Sequence, residues 1–191
     1  NQSDLLSGSS SNTVALPRMD YDTTANKIVV CTQGPSSGFS SYVQVSDPAA
    51  DLTATIGTPV VSRSGSTSNG TPAFDPATGR TNILFVAERN NLQWLYAVSG
   101  IVSGNSMTFG SEATGTYNAN GDITIPAFIN AGSNKSVAVT RQDPSNAGLG
   151  STGYQGLVYV LTTSGTSISF GNPVLLDAGV NTASRHGAVY D

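Results

Sequence analysis

Few residues of this chain could take part in covalent or acid–base chemistry. His186 is the only histidine and Cys31 the only cysteine, which excludes an ordinary zinc site built from several such ligands. His186 lies beside Arg185 in the last connecting loop, and no sequence pattern supplies it with an activated nucleophile. We therefore interpret His186 as a structural or solvated residue and Cys31, within an apolar run, as a buried and inert thiol.

The carboxylates are sparse, and several recur at one kind of position. Asp22, Asp75 and Asp191 each close a short apolar run, and Asn130 occupies the equivalent place in another. Asp and Asn side chains accept hydrogen bonds from backbone amides two residues on and so favour turns. This pattern predicts turn caps, whereas a glycosidase needs a pair of carboxylates facing each other across a pocket.

Residues 118–122, with the sequence Asn-Ala-Asn-Gly-Asp, offer oxygen ligands that faintly resemble a calcium loop. They lack the alternate spacing and the terminal Glu of an EF-hand, so we interpret them as a turn. The glycines of the chain also lack the strand-to-helix setting of a phosphate-binding loop. We therefore expect no cofactor, no metal site and no catalytic residue, and we expect that the protein is not an enzyme.

Loops of unequal length are the better candidates for function. Residues 34–40, 90–91 and 142–154 separate similar pairs of apolar runs. Loops that vary in length at a fixed point of a repeated pattern are where binding usually resides. Aromatic residues in two of these loops could stack on a sugar or on a protein partner. The candidate binding residues are Phe39, Asn90, Asn91, Asp143 and Tyr154.

An internal repeat positions these loops. The residues that close the apolar runs are separated by 53 positions from Asp22 to Asp75, by 55 from Asp75 to Asn130 and by 61 from Asn130 to Asp191. A turn and a second apolar run follow each of the first three residues, which is typical of a β-hairpin. A period of this length indicates a tandem array of small structural units.

A second landmark has the same period. Residues 54–61, 107–113 and 168–175 each alternate apolar residues with Ser or Thr up to a glycine, and a short β-prone run follows. This pattern predicts a strand that is broken at a glycine, which permits a bulge or a kink. The glycines, which are separated by 53 and 61 positions, are Gly57, Gly110 and Gly171.

Each unit is predicted to contain four strands. In the middle unit the first three include residues 73–75, 83–86 and 94–98, and the fourth is the glycine-broken strand. Four antiparallel strands in about 55 residues match one blade of a β-propeller, and no stretch shows the apolar spacing of an amphipathic helix. The expected fold class is therefore all-β, with about three tandem four-stranded antiparallel blades in a β-propeller-like arrangement. A β-solenoid or a string of small sheets is the alternative.

The predicted organisation begins and ends within a repeat. Residues 1–18 form the end of a preceding repeat and a connecting loop, and residues 188–191 form the first strand of a next repeat. Repeat 1 covers residues 19–72, repeat 2 residues 73–126 and repeat 3 residues 127–187. Closed propellers have about four to eight blades, so we expect a section of a longer polypeptide or, alternatively, copies of a short chain that associate into a ring.

The composition narrows the range of partners. Charged residues make up 10% of the chain, its net charge is −4 and it has no run of Lys or Arg, which argues against a nucleic-acid partner. No segment has the roughly 18 apolar residues of a membrane span, so we expect no membrane insertion. Neutral polar residues must solvate the surface, a composition that is common on extracellular and virion proteins and that suits contact with carbohydrate.

Two segments carry a resemblance to a known family. Residues 75–80, Asp-Pro-Ala-Thr-Gly-Arg, and residues 164–174 resemble the tandem repeats of tail-fibre and other virion proteins of tailed bacteriophages, which are taken to form propeller-like β modules. The resemblance extends over essentially the whole chain. It is weakest in the first unit, where Thr55 and Ile56 replace the Ser-Phe pair.

The resemblance implies a non-enzymatic structural and interaction module of a virion, in a tail fibre or exposed appendage that presents loops for attachment to a host surface. The partners that it implies are other virion proteins or copies of the chain itself, together with a host-surface glycan. The alternative is a bacterial lectin or adhesin that is secreted or held at the cell surface. A glycan hydrolase or lyase is the third hypothesis.

Overall fold

The computed structural model describes residues 17–33, 40–48, 56–65, 67, 70–119, 123–142 and 155–177. This part of the chain contains fourteen β-strands and no helix, which confirms the all-β fold class. The strands are β1 (Arg18–Asp22), β2 (Lys27–Gln33), β3 (Ser41–Ser46), β4 (Val60–Arg63), β5 (Thr71–Asp75), β6 (Arg80–Arg89), β7 (Leu92–Ser103), β8 (Ser106–Phe109), β9 (Ala113–Ala119), β10 (Thr124–Asn130), β11 (Lys135–Gln142), β12 (Gln155–Ser164), β13 (Ser167–Phe170) and β14 (Val174–Asp177).

The strands form three antiparallel sheets, each built from consecutive strands. Sheet 1 has the order β1-β2-β3-β4. Sheet 2 has the order β5-β6-β7-β8, with β9 also paired to β7, and sheet 3 has the order β10-β11-β12-β13, with β14 also paired to β12. The repeat boundaries at residues 19–72, 73–126 and 127–187 stay predictions. Residues 1–16 and 188–191 lie outside the described part of the chain.

The turn that follows the first strand of each sheet is capped, as the sequence predicts. Asp22 ends β1, and its Oδ1 accepts hydrogen bonds from two amides of the following turn, at 3.0 and 2.8 Å. Asp75 ends β5 and accepts one from the amide two residues on, at 3.0 Å. Asn130, at the end of β10, makes the same kind of bond. The predicted caps are confirmed at these three positions, while Asp191 lies outside the described residues.

The fourth strand of sheet 3 is broken at Gly171, as the sequence predicts. β13 and β14 lie on either side of this glycine, and both pair with β12. In sheet 2, β8 and β9 lie on either side of Gly110, and both pair with β7. The amides of Gly57, Gly110 and Gly171 donate to carbonyls of the third strand at 2.8, 2.9 and 2.8 Å. These bonds keep the broken strand attached to its sheet.

The sheets stack face to face, with sheet 2 between sheets 1 and 3. Successive side chains of a strand point to opposite faces, so the two faces of sheet 2 enter different apolar clusters. The cluster between sheets 1 and 2 contains Val29, Cys31, Val43, Val45, Ile83, Phe85, Ala87, Tyr96, Val98 and Met107. The cluster between sheets 2 and 3 contains Ala73, Leu84, Val86, Leu95, Ala97, Ile125, Phe128, Ala138, Leu157, Tyr159, Leu161 and Ile168.

Each of the first two glycine breaks receives a turn of the next sheet. A Cβ atom added at Gly57 would lie 1.8 Å from the carbonyl oxygen of Asn105, in the β7–β8 turn of sheet 2. A Cβ atom added at Gly110 would lie 1.8 Å from the carbonyl oxygen of Thr166, in the β12–β13 turn of sheet 3. Nothing larger than glycine leaves room for these turns, so the breaks are also points of close contact between neighbouring sheets.

Hydrogen bonds between first strands align the ends of the stack. The amide of Phe74 on β5 donates to Asp20 Oδ2 on β1, at 2.6 Å. Asn130 Nδ2 on β10 donates to the carbonyl oxygen of Phe74 at 2.8 Å and to Asp75 Oδ1 at 3.2 Å. The capped turns therefore lie together at one end of the stack, which we name the cap end. The ends of β2, β6 and β11 and the starts of β3, β7 and β12 lie at the opposite end, which we name the loop end.

Candidate functional site

The strand ends that flank the connections with the predicted binding residues lie at the loop end. Second strands run antiparallel to first strands, so they finish at the end opposite the caps. The connections differ in length without a change in the order of the strands that they join. They lie between Gln33 and Ser41, between Arg89 and Leu92, and between Gln142 and Gln155.

Asn90 and Asn91 form the two-residue turn of the β6–β7 hairpin. Both side chains are exposed, and both backbones lie in the left-handed region, with φ of 55° and 59°. A two-residue hairpin turn with positive φ at both positions is the arrangement that matches the twist of the strands, and Asn tolerates it well. The fold therefore explains why asparagine is present, and exposure leaves both amides available for binding.

The other three predicted binding residues lie outside the described part of the chain. Phe39 belongs to residues 34–39, between β2 and β3, while Asp143 and Tyr154 belong to residues 143–154, between β11 and β12. Their assignment as binding residues stays a prediction. His186 also lies outside the described residues.

An aromatic and a cationic side chain lie beside the asparagine turn. The guanidinium carbon of Arg89 lies 5.9 Å from the centre of the Trp94 ring, within the range of a cation–π contact. Trp94 packs partly against the cluster between sheets 1 and 2, and its buried Nε1 donates to no acceptor among the described residues. Glu88 and Arg89 are exposed. We name Glu88, Arg89, Asn90, Asn91 and Trp94 the loop-end surface.

A second cation–π contact joins sheet 1 to sheet 2. The guanidinium carbon of Arg63 on β4 lies 3.9 Å from the centre of the Tyr96 ring on β7, and Arg63 also forms an ion pair with Glu112. Tyr96 stacks on Phe85, with ring centres 6.0 Å apart and an angle of 12° between the rings. Arg63 and Glu112 therefore have a structural role, because these contacts hold the two sheets together.

Four further carboxylates also serve the scaffold. Lys27 Nζ is bonded to Asp47 and donates to Asn105 Oδ1 at 2.8 Å, which links sheet 1 to the β7–β8 turn of sheet 2. The Lys27 ammonium bonded to Asp47 holds the pKa of that carboxyl below its usual range. Asp20, Asp22 and Asp75 accept bonds from backbone amides. Each of these carboxylates thus has a structural partner.

Cys31 is fully buried in β2, as the sequence predicts. Burial raises the pKa of its thiol, because the thiolate would lose its solvation in the apolar cluster between sheets 1 and 2. The predicted turn at residues 118–122 needs a correction at its start, because β9 continues through Ala119 and Asn118 pairs with Trp94. No group of three or more metal-ligating side chains occurs in the described part of the chain.

No family model, curated protein or solved structure matches this chain. Among the described residues, no helix is long and apolar enough to cross a membrane.

Sequence reasoning missed the contact between Arg89 and Trp94, although the signal for it was present. A two-residue turn at Asn90 and Asn91 sets Arg89 opposite Leu92 and Ala87 opposite Trp94. Arg89 and Trp94 are then diagonal neighbours, which long side chains can bridge. The contact between Arg63 and Tyr96 had no such signal, because it joins two sheets.

Proposed function

We propose that this protein is a non-enzymatic structural and interaction module of a bacteriophage virion, in a tail fibre or exposed appendage that presents loops to a host surface. The observation that carries the proposal is the division of the stack into two ends. At the cap end, Asp22, Asp75 and Asn130 accept hydrogen bonds from amides of the turns, whereas the strands that meet at the loop end are joined by segments of unequal length in the sequence. The virion part rests on the resemblance of residues 75–80 and 164–174 to phage repeats.

The proposed architecture is β-propeller-like, with each sheet as one blade. Arg18 on β1 supports it, because its Nη1 donates to Thr71 Oγ1 on β5 at 2.5 Å and to the carbonyl oxygen of Ile125 on β10 at 2.7 Å. One side chain can reach both other first strands only where the three strands converge. Convergence of first strands is expected around the axis of a propeller.

The proposed ligand is a glycan of the host surface. The loop-end surface offers two exposed amides, a guanidinium and an aromatic ring, and sugars are commonly bound by hydrogen-bonding side chains together with aromatic stacking. The scaffold contacts of Asp20, Asp22, Asp47, Asp75 and Glu112 support a binding role over a hydrolytic one. The proposed location is therefore the outside of the virion.

Binding to purified surface polysaccharide of a candidate host tests this proposal. Replacing Asn90 and Asn91 together by glycine keeps the positive φ of the turn and removes both amides. We expect the variant to fold and to lose most of its affinity in titration calorimetry. The control is Asn26→Gly, which makes the same change at a positive-φ position of the cap end and should leave the affinity unchanged.

Two results would contradict the proposal. Equal affinity of the chain and the double variant would remove the loop-end surface from the binding site. Release of new reducing ends from the polysaccharide would favour a glycan hydrolase or lyase. Antibodies against the chain should label intact phage particles, and labelling of bacterial envelopes alone would favour the adhesin alternative.

A further inference from the structure

A lysine, a carboxylate and a side-chain amide meet at one place between sheets 1 and 2. Lys27 Nζ is hydrogen-bonded to Asp47 and donates to Asn105 Oδ1 at 2.8 Å. The bond from the Lys27 ammonium holds the pKa of the Asp47 carboxyl below its usual range, and a hydrogen bond from the Asn105 amide lowers it further. Each of the three side chains therefore interacts with the other two, and we name them the Lys-Asp-Asn cluster.

The register of sheet 1 explains why Lys27 and Asp47 meet. The pairing of β2 with β3 places Asp47, directly after β3, opposite Lys27. Residues two apart along a strand point to the same side, and Val29 and Val45 belong to the apolar cluster between sheets 1 and 2. Lys27 and Asp47 therefore point towards sheet 2, beside two valines that are at most 1% exposed.

Asn105 is held in place by the contact that its turn makes with sheet 1. It is the second residue of the two-residue β7–β8 turn, after Gly104, which has a φ of 58°. The carbonyl oxygen of Asn105 lies against Gly57, where an added Cβ atom would be only 1.8 Å away. The backbone of Asn105 is therefore fixed against sheet 1, and its side-chain amide is presented to Lys27.

The packing of one sheet on the next does not require the Lys-Asp-Asn cluster. Strand order and register identify the equivalent positions at the contact between sheets 2 and 3. The residues at the places of Lys27, Asp47 and Asn105 are Arg80, Ile101 and Thr166. Sheets 2 and 3 thus pack together without a lysine, a carboxylate or a side-chain amide there, so the cluster has no counterpart that the repeat would explain.

The three groups of the cluster are those that an amide transfer needs. A neutral lysine amine is a nucleophile, and the carbon that it would attack, Asn105 Cγ, carries the oxygen that Lys27 Nζ already contacts. The Asp47 carboxylate can accept the ammonium proton and later donate it to the leaving nitrogen. The Lys27 side chain is 16% exposed and that of Asp47 40%, so the amine is shielded while the leaving group has a path to solvent.

We propose that Lys27 and Asn105 form a covalent isopeptide bond between sheets 1 and 2. Lys27 passes one proton to Asp47, and the electron pair of the neutral Nζ forms a bond to Asn105 Cγ. The bond between Cγ and Nδ2 breaks, and the Asn105 nitrogen leaves as ammonium with one proton from Nζ and one from Asp47. The amide between Nζ and Cγ remains, Asp47 is again a carboxylate, and the reaction consumes no oxidant, reductant or cofactor.

The bond joins residues that are 78 positions apart and so keeps sheet 1 attached to sheet 2 in the unfolded chain. A crosslink that closes a long loop stabilises a fold mainly because it restricts the unfolded state. The inference goes beyond the proposed function and does not rest on it, since the cluster lies at the cap end, away from the loop-end surface.

Intact-mass spectrometry of the purified full chain tests the bond. We expect a mass that is lower than the mass of the sequence by one ammonia. Because trypsin does not cleave after an acylated lysine, digestion should yield one product that joins residues 19–63 to residues 90–135. Lys27→Arg keeps the charge but cannot form the amide, so its mass should be complete. Asp47→Asn keeps both reacting groups and should slow bond formation by roughly a hundredfold or more.

The control is Lys135→Arg, at the equivalent position of sheet 3, where Lys135 Nζ donates to Thr162 Oγ1 at 2.7 Å. It should lose ammonia like the unmodified chain, and circular dichroism establishes that each variant is folded. A complete mass for the unmodified chain after overnight incubation would overturn the proposal. Loss of ammonia without the joined peptide would also overturn it, because an Asn-Gly pair such as residues 120–121 loses ammonia when it forms a cyclic imide. Loss of water instead would identify an amide between Lys27 and Asp47 and exclude Asn105 as the acceptor.

Discussion

Gly110 and Gly171 occupy the same position in their sheets but differ in what covers them. Gly110 faces the carbonyl oxygen of Thr166, to which an added Cβ atom would be only 1.8 Å away. The partner atom is backbone and cannot rotate aside, so Gly110→Ala must push sheet 3 from sheet 2. We expect a loss of about 3 kcal/mol in the free energy of unfolding, measured by urea denaturation, as for other overpacked interiors.

Gly171→Ala is the matched control for this prediction. Among the described residues, its added Cβ atom would meet only Val160 O, at 3.0 Å. The loss in the free energy of unfolding should be about 1 kcal/mol or less, as for most substitutions at exposed positions. Equal losses for the two variants would mean that the glycine is required by the strand break itself and not by the contact between sheets.

At the scale of the element, the β6–β7 hairpin depends on two residues in an uncommon conformation. Asn90 and Asn91 have φ of 55° and 59°, and β-carbon-bearing residues pay roughly 1 kcal/mol or more each in this region. Asparagine reduces that cost through local hydrogen bonds. Replacing both residues by alanine should therefore lower the free energy of unfolding by about 1–2 kcal/mol in urea denaturation.

Asn91→Gly should raise the free energy of unfolding or leave it unchanged, since an Asn-Gly pair is strongly preferred in this type of turn. Loss of stability in Asn91→Gly would show that the Asn91 side chain makes a contact that the turn conformation does not explain. The conformation of the hairpin turn is determined by residues of sheet 2 alone, whereas Gly110 is required by a contact between sheet 2 and sheet 3.

The local chemistry of the repeat made most of the strands predictable. A carboxylate or amide at the end of a first strand, such as Asp75, caps the turn that follows it through bonds to amides two or three residues on. A glycine such as Gly171, followed by a short β-prone run, favours a break or a bulge in a strand. Both signals act within a few residues, so their period could be read from the sequence.

Contacts between sheets were less predictable, and so was the candidate site. The stacking of Arg63 on Tyr96 depends on how far apart two sheets lie, which no local pattern encodes. Asn90 and Asn91 were chosen for their loop, but their conformation and the neighbouring Trp94 emerge only from the hairpin register. The prediction of a turn from residue 118 onwards was wrong at its start, because β9 pairs with β7 and continues through Ala119.

For the whole molecule, burial on two faces should make sheet 2 the most stable part. Its alternate residues enter both apolar clusters, whereas sheets 1 and 3 each enter one. In a stack of repeats, local opening proceeds from the ends inwards. We expect the amides of β6 and β7 to exchange at least about tenfold more slowly than those of β1 and β13 in hydrogen-exchange mass spectrometry.

Similar exchange rates in all three sheets would mean that the stack opens as one cooperative unit and not from its ends.

Sheet 2 carries both complementary parts of the contact between neighbouring units. Its turn at Asn105 packs against Gly57 of sheet 1, and its own Gly110 packs against the turn at Thr166 of sheet 3. Residues 71–119 therefore form a unit that could be duplicated, because the Asn105 turn of the second copy would pack against Gly110 of the first and every contact between units would be made. If residues 71–119 were removed, Gly57 would face the turn at Thr166. Such a gene could lengthen or shorten by whole units without having to evolve a new interface.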